Sequence, residues 1–386
     1  MSHFDDLETR TQTDRNDAQL AVLNGLLSTP LALLADLVGH PVLRKSDLSA
    51  AQKAKPPFGG LTVKNVTQIF QSPGPIYEPG GSSYDWWRFG RFMAACDIGA
   101  DDIVQNCFGY HLTPAGMMLE NGARAVGATV LPAGTGQTEL QVRAAHDIGS
   151  TAYAGTPDYL KVILEKSDEM GLPLKITKAA VSGGALFTQL RKFYADRGIV
   201  CLQCYATADL GQIAYETAKG EGMIVDEGVI VEIVTPGTGI RVPDGDVGEV
   251  VVTSLNPDYP LIRFATGDLS AVLVGQSPCG RTNMRIKGWM GRADQTAKIK
   301  GMFVRPEQVA DLVSRLDNVD RVRVVVDRNG DADRMTVLVE GAELDTEIIE
   351  LAVQDILKLK ARIICCVVGD IPRDGIVIED QRKYDT

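Results

Sequence analysis

The sequence has no uninterrupted apolar stretch of bilayer-spanning length, which argues against a transmembrane helix. It also has no surplus of positive charge: 39 Lys and Arg stand against 50 Asp and Glu, for a net charge of −11. That balance argues against a general nucleic-acid or anionic-membrane surface, although it leaves room for a local basic pocket. Histidine is scarce, and His3, His40 and His146 join no metal-like cluster. The seven cysteines are an odd, scattered set that does not read as a disulfide framework. Cys201 and Cys204 form a CxxC with no second pair and no suitably spaced histidine, so zinc is disfavoured. A redox use would need the pair at a helix N-terminus, whereas burial on a strand is the favoured reading. The start, Met1-Ser2-His3-Phe4-Asp5-Asp6, has no apolar core of a signal peptide, and a cytoplasmic location is expected. Internal repeats and low-complexity tracts are absent.

What remains is a chain of 386 residues with 45% hydrophobic and 23% charged residues, enough for a large core and two domains. Residues 7–37 carry apolar and charged residues at helical spacing, interrupted by Pro30. Residues 54–60 read as a loop. From about residue 62 strand and helix signals alternate. Strands are expected at 103–108, 128–131, 151–154, 179–181 and 200–205, with helices at 115–125, near 157–169 and at 186–197. That alternation points to a parallel sheet covered on both faces. After about 222 the rhythm changes to β runs at 223–234, 248–254 and 269–274, separated by Pro/Gly turns. From about 291 a smaller α+β unit is expected, with helices at 309–316 and 346–359 and strands at 321–327, 335–340 and 363–368.

Two segments in the C-terminal third are the most specific. One is Pro260-Leu261-Ile262-Arg263-Phe264-Ala265-Thr266-Gly267-Asp268-Leu269, and the other runs from Gly291-Arg292-Ala293-Asp294 through Lys298-Ile299-Lys300-Gly301 to Pro306. Each sets a charged residue beside a glycine at the end of an apolar run, where a carboxylate and a guanidinium can grip a ribose. Read alone, Asp268 is better taken as a turn residue, and Arg292 has the alternative of a surface loop residue. In order and spacing the pair resembles adenylate-forming enzymes, and more closely the phenylacetate-CoA ligase branch, which activates aromatic acids with ATP.

That resemblance covers roughly residues 60–380 and implies an α/β adenylate-forming fold. A large N-terminal AMP-binding domain would occupy 1–290 and include a β-rich subdomain, and a small α+β lid would occupy 291–386. It further implies ATP, Mg²⁺ and CoA as cofactors, an aromatic acid as substrate, and a homodimer. Asp268 and Arg292 would hold ribose, and Asp294 would be the hinge of the lid. Lys300 would swing toward the active site in the thioester-forming state. Tyr205, with Ala206 and Thr207, would lie beside adenine together with Ser182, Gly183 and Gly184, where glycine allows close approach. Asp209 would hold Mg²⁺ directly or through water; its other reading is a cap on a following helix. Phe108, Tyr110, His111 and Thr113 would form the acid pocket, with His111 equally a structural residue.

Three departures accompany the match. The phosphate loop would be Gln71–Pro79 with Ser72 and Gly74, yet three prolines remove N–H donors and Glu78 would repel phosphate. Ala206 and Ala208 replace a glycine and a hydroxyl residue, and Asp209 replaces the usual glutamate. At the C-terminus Ile376 follows Gly375 where the family carries a lysine, with Arg373, Arg382 and Lys383 as cations nearby in sequence. Losing one such preorganised group costs on the order of 10²–10³ in rate. The expectation is therefore an AMP-forming acid–thiol ligase. The alternative is a catalytically impaired nucleotide or acyl-adenylate binding homologue.

Overall fold

The computed structural model describes residues 3–72, 76–218, 222–295, 297–299, 302–329, 332–372, 374 and 376–382. The chain forms two compact units. The first comprises Met1–Thr266 and Ser270–Gly288, and the second Gly267–Leu269 and Trp289–Thr386.

The first unit opens with Gln12–Leu26 (α1), whose N-terminus is capped by the Thr11 hydroxyl accepting from the Asp14 N–H. Leu43–Arg44 (β1) and Lys45–Ala54 (α2) lead to a hairpin of Val66–Ser72 (β2) and Ile76–Gly81 (β3). Gly90–Ala95 (α3) follows. The alternation then runs Ile103–Asn106 (β4), Ala115–Ala125 (α4), Thr129–Leu131 (β5), Thr138–Ile148 (α5), Ala152–Gly155 (β6), Pro157–Met170 (α6), Lys178–Val181 (β7), Thr188–Asp196 (α7) and Val200–Thr207 (β8). Helix α6 shows why boundaries fall where they do: Pro157 starts it, and Gly171 at φ +64° ends it in the left-handed conformation. Strands β5, β4, β6, β7 and β8 lie side by side and parallel. Their short apolar runs suit a sheet buried on both faces. Phe89, Phe92 and Val104 belong to one core cluster, and Tyr153, Leu160, Val181 and Tyr194 to another.

The β-rich part consists of Gly211–Tyr215 (β9), Met223–Val225 (β10), Val229–Val234 (β11), Val247–Ser254 (β12), Phe264–Leu273 (β13) and Arg285–Ile286 (β14). It continues the same sheet in the order β11-β12-β13-β14-β10-β9-β8. The single β run expected over 223–234 is two strands, broken at Asp226-Glu227-Gly228. The break has an electrostatic cause. Asp226 is fully buried between Arg88 and Arg91, and its Oδ1 accepts from the Gly228 N–H at 2.8 Å.

The N-terminal segment is locked to this part by buried charge. Glu8 receives the Arg281 guanidinium at 2.5 Å and the Tyr215 hydroxyl at 2.6 Å. Arg15 pairs with Glu227 at 3.0 Å, and Arg10 reaches the same carboxylate at 2.6 Å.

In the second unit, Ala297–Ile299 (β15) pairs with Met302–Val304 (β16), and Pro306–Arg315 (α8) follows. Val319–Asn329 (β17), Ala332–Gly341 (β18), Thr346–Leu357 (α9), Arg362–Cys366 (β19) and Ile378–Asp380 (β20) complete it. Its sheet order is β19-β18-β17-β20, with an antiparallel centre and parallel edges. Leu312, Val324, Val337 and Val353 sit in a core of its own.

Candidate functional site

In the first unit the expected site residues collect where β4, β7 and β8 end, the carboxyl edge at which open parallel sheets bind ligands. After β4 the loop is built on Asn106, which is fully buried. Its Nδ2 donates to the Tyr110 hydroxyl at 2.7 Å and to the Gly116 carbonyl at 2.8 Å, while its Oδ1 accepts from the Phe108 N–H. Burial raises the Tyr110 hydroxyl above its ordinary pKa. His111 is exposed and Thr113 half-buried. The Leu112 carbonyl accepts from the Gln71 N–H at 2.8 Å, which ties this loop to the β2–β3 hairpin. Beyond β7, Gly183 has φ +72°, and a Cβ there would lie 3.5 Å from the Phe108 ring. The expected adenine turn and acid wall are therefore neighbours. The Ser182 hydroxyl donates to the Cys204 carbonyl at 3.2 Å.

Strand β8 carries Tyr205, Ala206 and Thr207 into a bulge between Tyr205 and Ala206. Tyr205 packs into the core, and Thr207 Oγ1 accepts from the Leu210 N–H. No helix follows Asp209; β9 does, so the capping role is corrected by the structure. Asp209 is buried, with its Oδ2 3.0 Å from Lys45 Nζ at the start of α2. Its Oδ1 has no hydrogen-bond partner among the described residues. A buried, half-satisfied carboxylate is a donor set that suits a hard divalent cation.

Across from it, Glu78 on β3 accepts from the Ser72 hydroxyl. Burial, reinforced by the charge of Asp209, raises Glu78 to about 7 against the opposing bond from Ser72. Ser72 thus spends its hydroxyl on Glu78. Cys201 and Cys204 also lie on β8; Cys204 is buried and Cys201 half-buried, and burial raises both thiols to about 12.

The second unit holds the carboxylate–guanidinium pair. Asp268 and Arg292 form an antiparallel bridge, flanked by Leu269 N–H donating to the Gly291 carbonyl at 2.8 Å. Arg292 Nη1 lies 3.3 Å from Asp268 Oδ1, which also accepts from the Trp289 indole N–H at 3.1 Å. Two glycines permit this. A Cβ on Gly267, at φ +75°, would sit 2.9 Å from Arg292 Nη2. One on Gly291, at φ +116°, would meet Pro306 at 2.3 Å.

Gly74, Lys300 and Arg373 lie outside the described residues, and of Asp294 only the backbone, in a 3₁₀ turn, is described. Ile376 donates its N–H to Asp374 Oδ1 at 3.0 Å, and the next residue's N–H goes to Gln295 Oε1 at 2.8 Å. Arg321 and Arg323 hold the Pro372 carbonyl, so this stretch is pinned to β17.

Lys45, Asn106, Tyr259 and Trp289 were missed from the sequence. Lys45 gives no local signal because its partner lies 164 residues away. An aromatic two residues before Gly291 was a usable clue for Trp289.

No family model matches the chain. It is similar to phenylacetate-coenzyme A ligases of Aromatoleum evansii, 31% identical over 288 residues (70% of this chain, 64% of that protein), and of Thermus thermophilus, 30% over 280 residues (68% and 62%). The matched region thus spans less than two thirds of these curated relatives. In fold it is similar to a 2-hydroxyisobutyryl-CoA ligase crystallised with 2-HIB-AMP, at TM-score 0.80 and 23% identity over 97% of this chain and 91% of that one. Apo MatB from Rhodopseudomonas palustris aligns at TM-score 0.59 and 16% identity, covering 81% of this chain and 66% of that one. At these identities the two solved structures speak for the fold alone. Among the described residues, no helix is long and apolar enough to cross a membrane.

Proposed function

This chain has the adenylate-forming fold and is phenylacetate-CoA ligase-like in sequence, and on that premise we propose that it activates an aromatic carboxylic acid with ATP and passes the acyl group to coenzyme A. In the first half-reaction a carboxylate oxygen attacks the α-phosphorus, the bond to the bridging oxygen breaks, and pyrophosphate leaves with that electron pair. In the second, the thiolate sulfur of coenzyme A attacks the acyl carbon and AMP leaves.

The observation that carries the proposal is the Asp268–Arg292 bridge with its two positive-φ glycines, a polar grip suited to a ribose. Asp268 accepts from ribose hydroxyls and Arg292 contacts the same ribose, while the bonds from Arg292 and Trp289 keep the Asp268 carboxylate oriented. Gly183 and Gly184 give adenine close approach beside Tyr205, Ala206 and Thr207. Phe108 and Tyr110 wall the aryl group, and His111 and Thr113 face its carboxylate. Asp209 holds Mg²⁺, which when bound offsets the charge of the phosphates. Ser72 and Gly74 border the phosphates, and Arg373 supplies a cation toward them. Asp294 is the hinge between the two half-reactions, and Lys300 moves with the lid. A homodimer is part of this reading, and light scattering would test it.

ATP–pyrophosphate exchange with a panel of aryl acids tests the activity. Absence of exchange with every acid, in a protein that binds ATP, removes the adenylation claim.

Ile376 favours a second reading, a nucleotide or acyl-adenylate binding homologue with little turnover. Its side chain is 39% exposed on the segment pinned by Arg321 and Arg323, so a lysine fits there without repacking. Ile376→Lys should raise exchange by at least roughly 10²-fold if the wild type is impaired. Robust wild-type turnover, unchanged in the variant, eliminates this reading.

A further inference from the structure

Three oxygens behind the β2–β3 hairpin have no hydrogen-bond partner among the described residues: Glu78 Oε2, Asp209 Oδ1 and the Tyr259 hydroxyl. Their residues are 1%, 5% and 4% exposed. Glu78 and Asp209 both lie on segments held by α2, through the bonds of Gln52 to Tyr77 and of Lys45 to Asp209, and the charges of both carboxylates act on the Tyr259 hydroxyl.

The surrounding frame is fixed. From α2, Gln52 makes two hydrogen bonds to the backbone of Tyr77, at 2.7 and 2.8 Å, next to Glu78. The same helix sends Lys45 to Asp209 at 3.0 Å. Ser72 occupies the other oxygen of Glu78.

A buried oxygen left without a partner costs about 1–3 kcal/mol, and more if charged. Three together are an arrangement that the described residues do not satisfy. Lys45 neutralises one carboxylate, so with Glu78 ionised the cluster carries a net negative charge beside the loop expected to meet phosphates. A second ammonium would only cancel that charge, whereas a divalent cation reverses it and satisfies hard oxygens.

We propose that Glu78 and Asp209 together bind a divalent cation of the Mg²⁺ or Mn²⁺ class, with the Tyr259 hydroxyl supporting the coordinated water. The inference rests on the reading of Asp209 as a metal ligand and adds Glu78 to it. It also reverses the sense of Glu78: a residue that would repel phosphates alone attracts them once it carries the cation. Such a site fills without nucleotide, because both ligands are buried and already in place.

The test is Mn²⁺ titration of the full chain, without nucleotide, followed by the electron paramagnetic resonance signal of the free ion. About one tight site per chain is expected, weakened at least about tenfold by Glu78→Gln and by Asp209→Asn, the range in which metal-site changes fall. Circular dichroism melts in EDTA show whether each variant folds. If Glu78→Gln does not, Glu78→Asp, which keeps the charge but shortens the reach, should bind with intermediate affinity. Wild-type affinity in every folded Glu78 variant, with Asp209→Asn impaired, overturns the role of Glu78 and leaves that of Asp209 standing. No Mn²⁺ uptake by the wild type overturns the site as proposed, while pyrophosphate exchange separately decides the adenylation reading.

Discussion

Trp289 illustrates how much one side chain can report. Of the three tryptophans, Trp86 and Trp87 are 4% and 5% exposed, while Trp289 is 54% exposed and hydrogen-bonded to Asp268. Nucleotide binding at Asp268 should therefore change the emission of Trp289 and leave that of the other two unmoved. Titrating ATP into wild type and Trp289→Phe checks this: a signal that persists in the variant refutes the assignment. Asp85 gives a prediction in pH. Burial raises its carboxyl from 3.8 to about 6, with the Asp226 charge adding to the rise and the Gly90 N–H opposing it. The folded state thus holds this proton more tightly than the unfolded chain. The contribution to stability is full below 3.8 and is lost as pH rises to about 6. Asp85→Asn should flatten that fall, by at most roughly 3 kcal/mol, in denaturant titrations across the window. The Asp268–Arg292 pair was legible in the sequence because glycines mark it locally. Lys45–Asp209 was not, since nothing in either neighbourhood names the other.

At the scale of elements, the alternating segment from β4 to β8 was readable because each short strand is an apolar run bounded by turn residues. Helix α4 spans the expected 115–125. The β2–β3 hairpin was obscured by its prolines, which suggest a turn and hide six paired positions from Val66 to Ser72. Strand β9 was hidden because the acid at Asp209 mimics a helix start. The segment leading through the first turn of α1 was the least legible, since its place comes from buried ion pairs with distant residues. Arg15 is 1% exposed and gives bonds to Glu227 and Thr282. Removing one partner of a buried pair costs about 3–5 kcal/mol. Arg15→Met should fall near the lower end, because Arg10 still reaches Glu227. Urea unfolding checks the figure, and a change below about 1 kcal/mol would place the segment among surface ion pairs.

For the whole molecule, each unit has its own core and its own sheet. Calorimetry should therefore resolve two transitions, with the ion pairs at Glu8 and Glu227 affecting only one of them. A single transition shared by both units, shifted as one by Arg15→Met, would contradict this. The chain visits the second unit twice, first with Gly267–Leu269 and then from Trp289 onward. A truncation after Gly288 would thus strand Asp268 without Arg292, and should abolish ribose binding even if the larger core survives.

The buried bonds of Glu8 also bear on the order in which the molecule is made. Its partner Arg281 lies 273 residues further along the chain. A ribosome adding roughly 5–20 residues per second needs well over ten seconds to bridge that gap. Throughout that interval Glu8 lacks the guanidinium that it is buried against in the finished molecule, so this bond forms only after Arg281 has emerged.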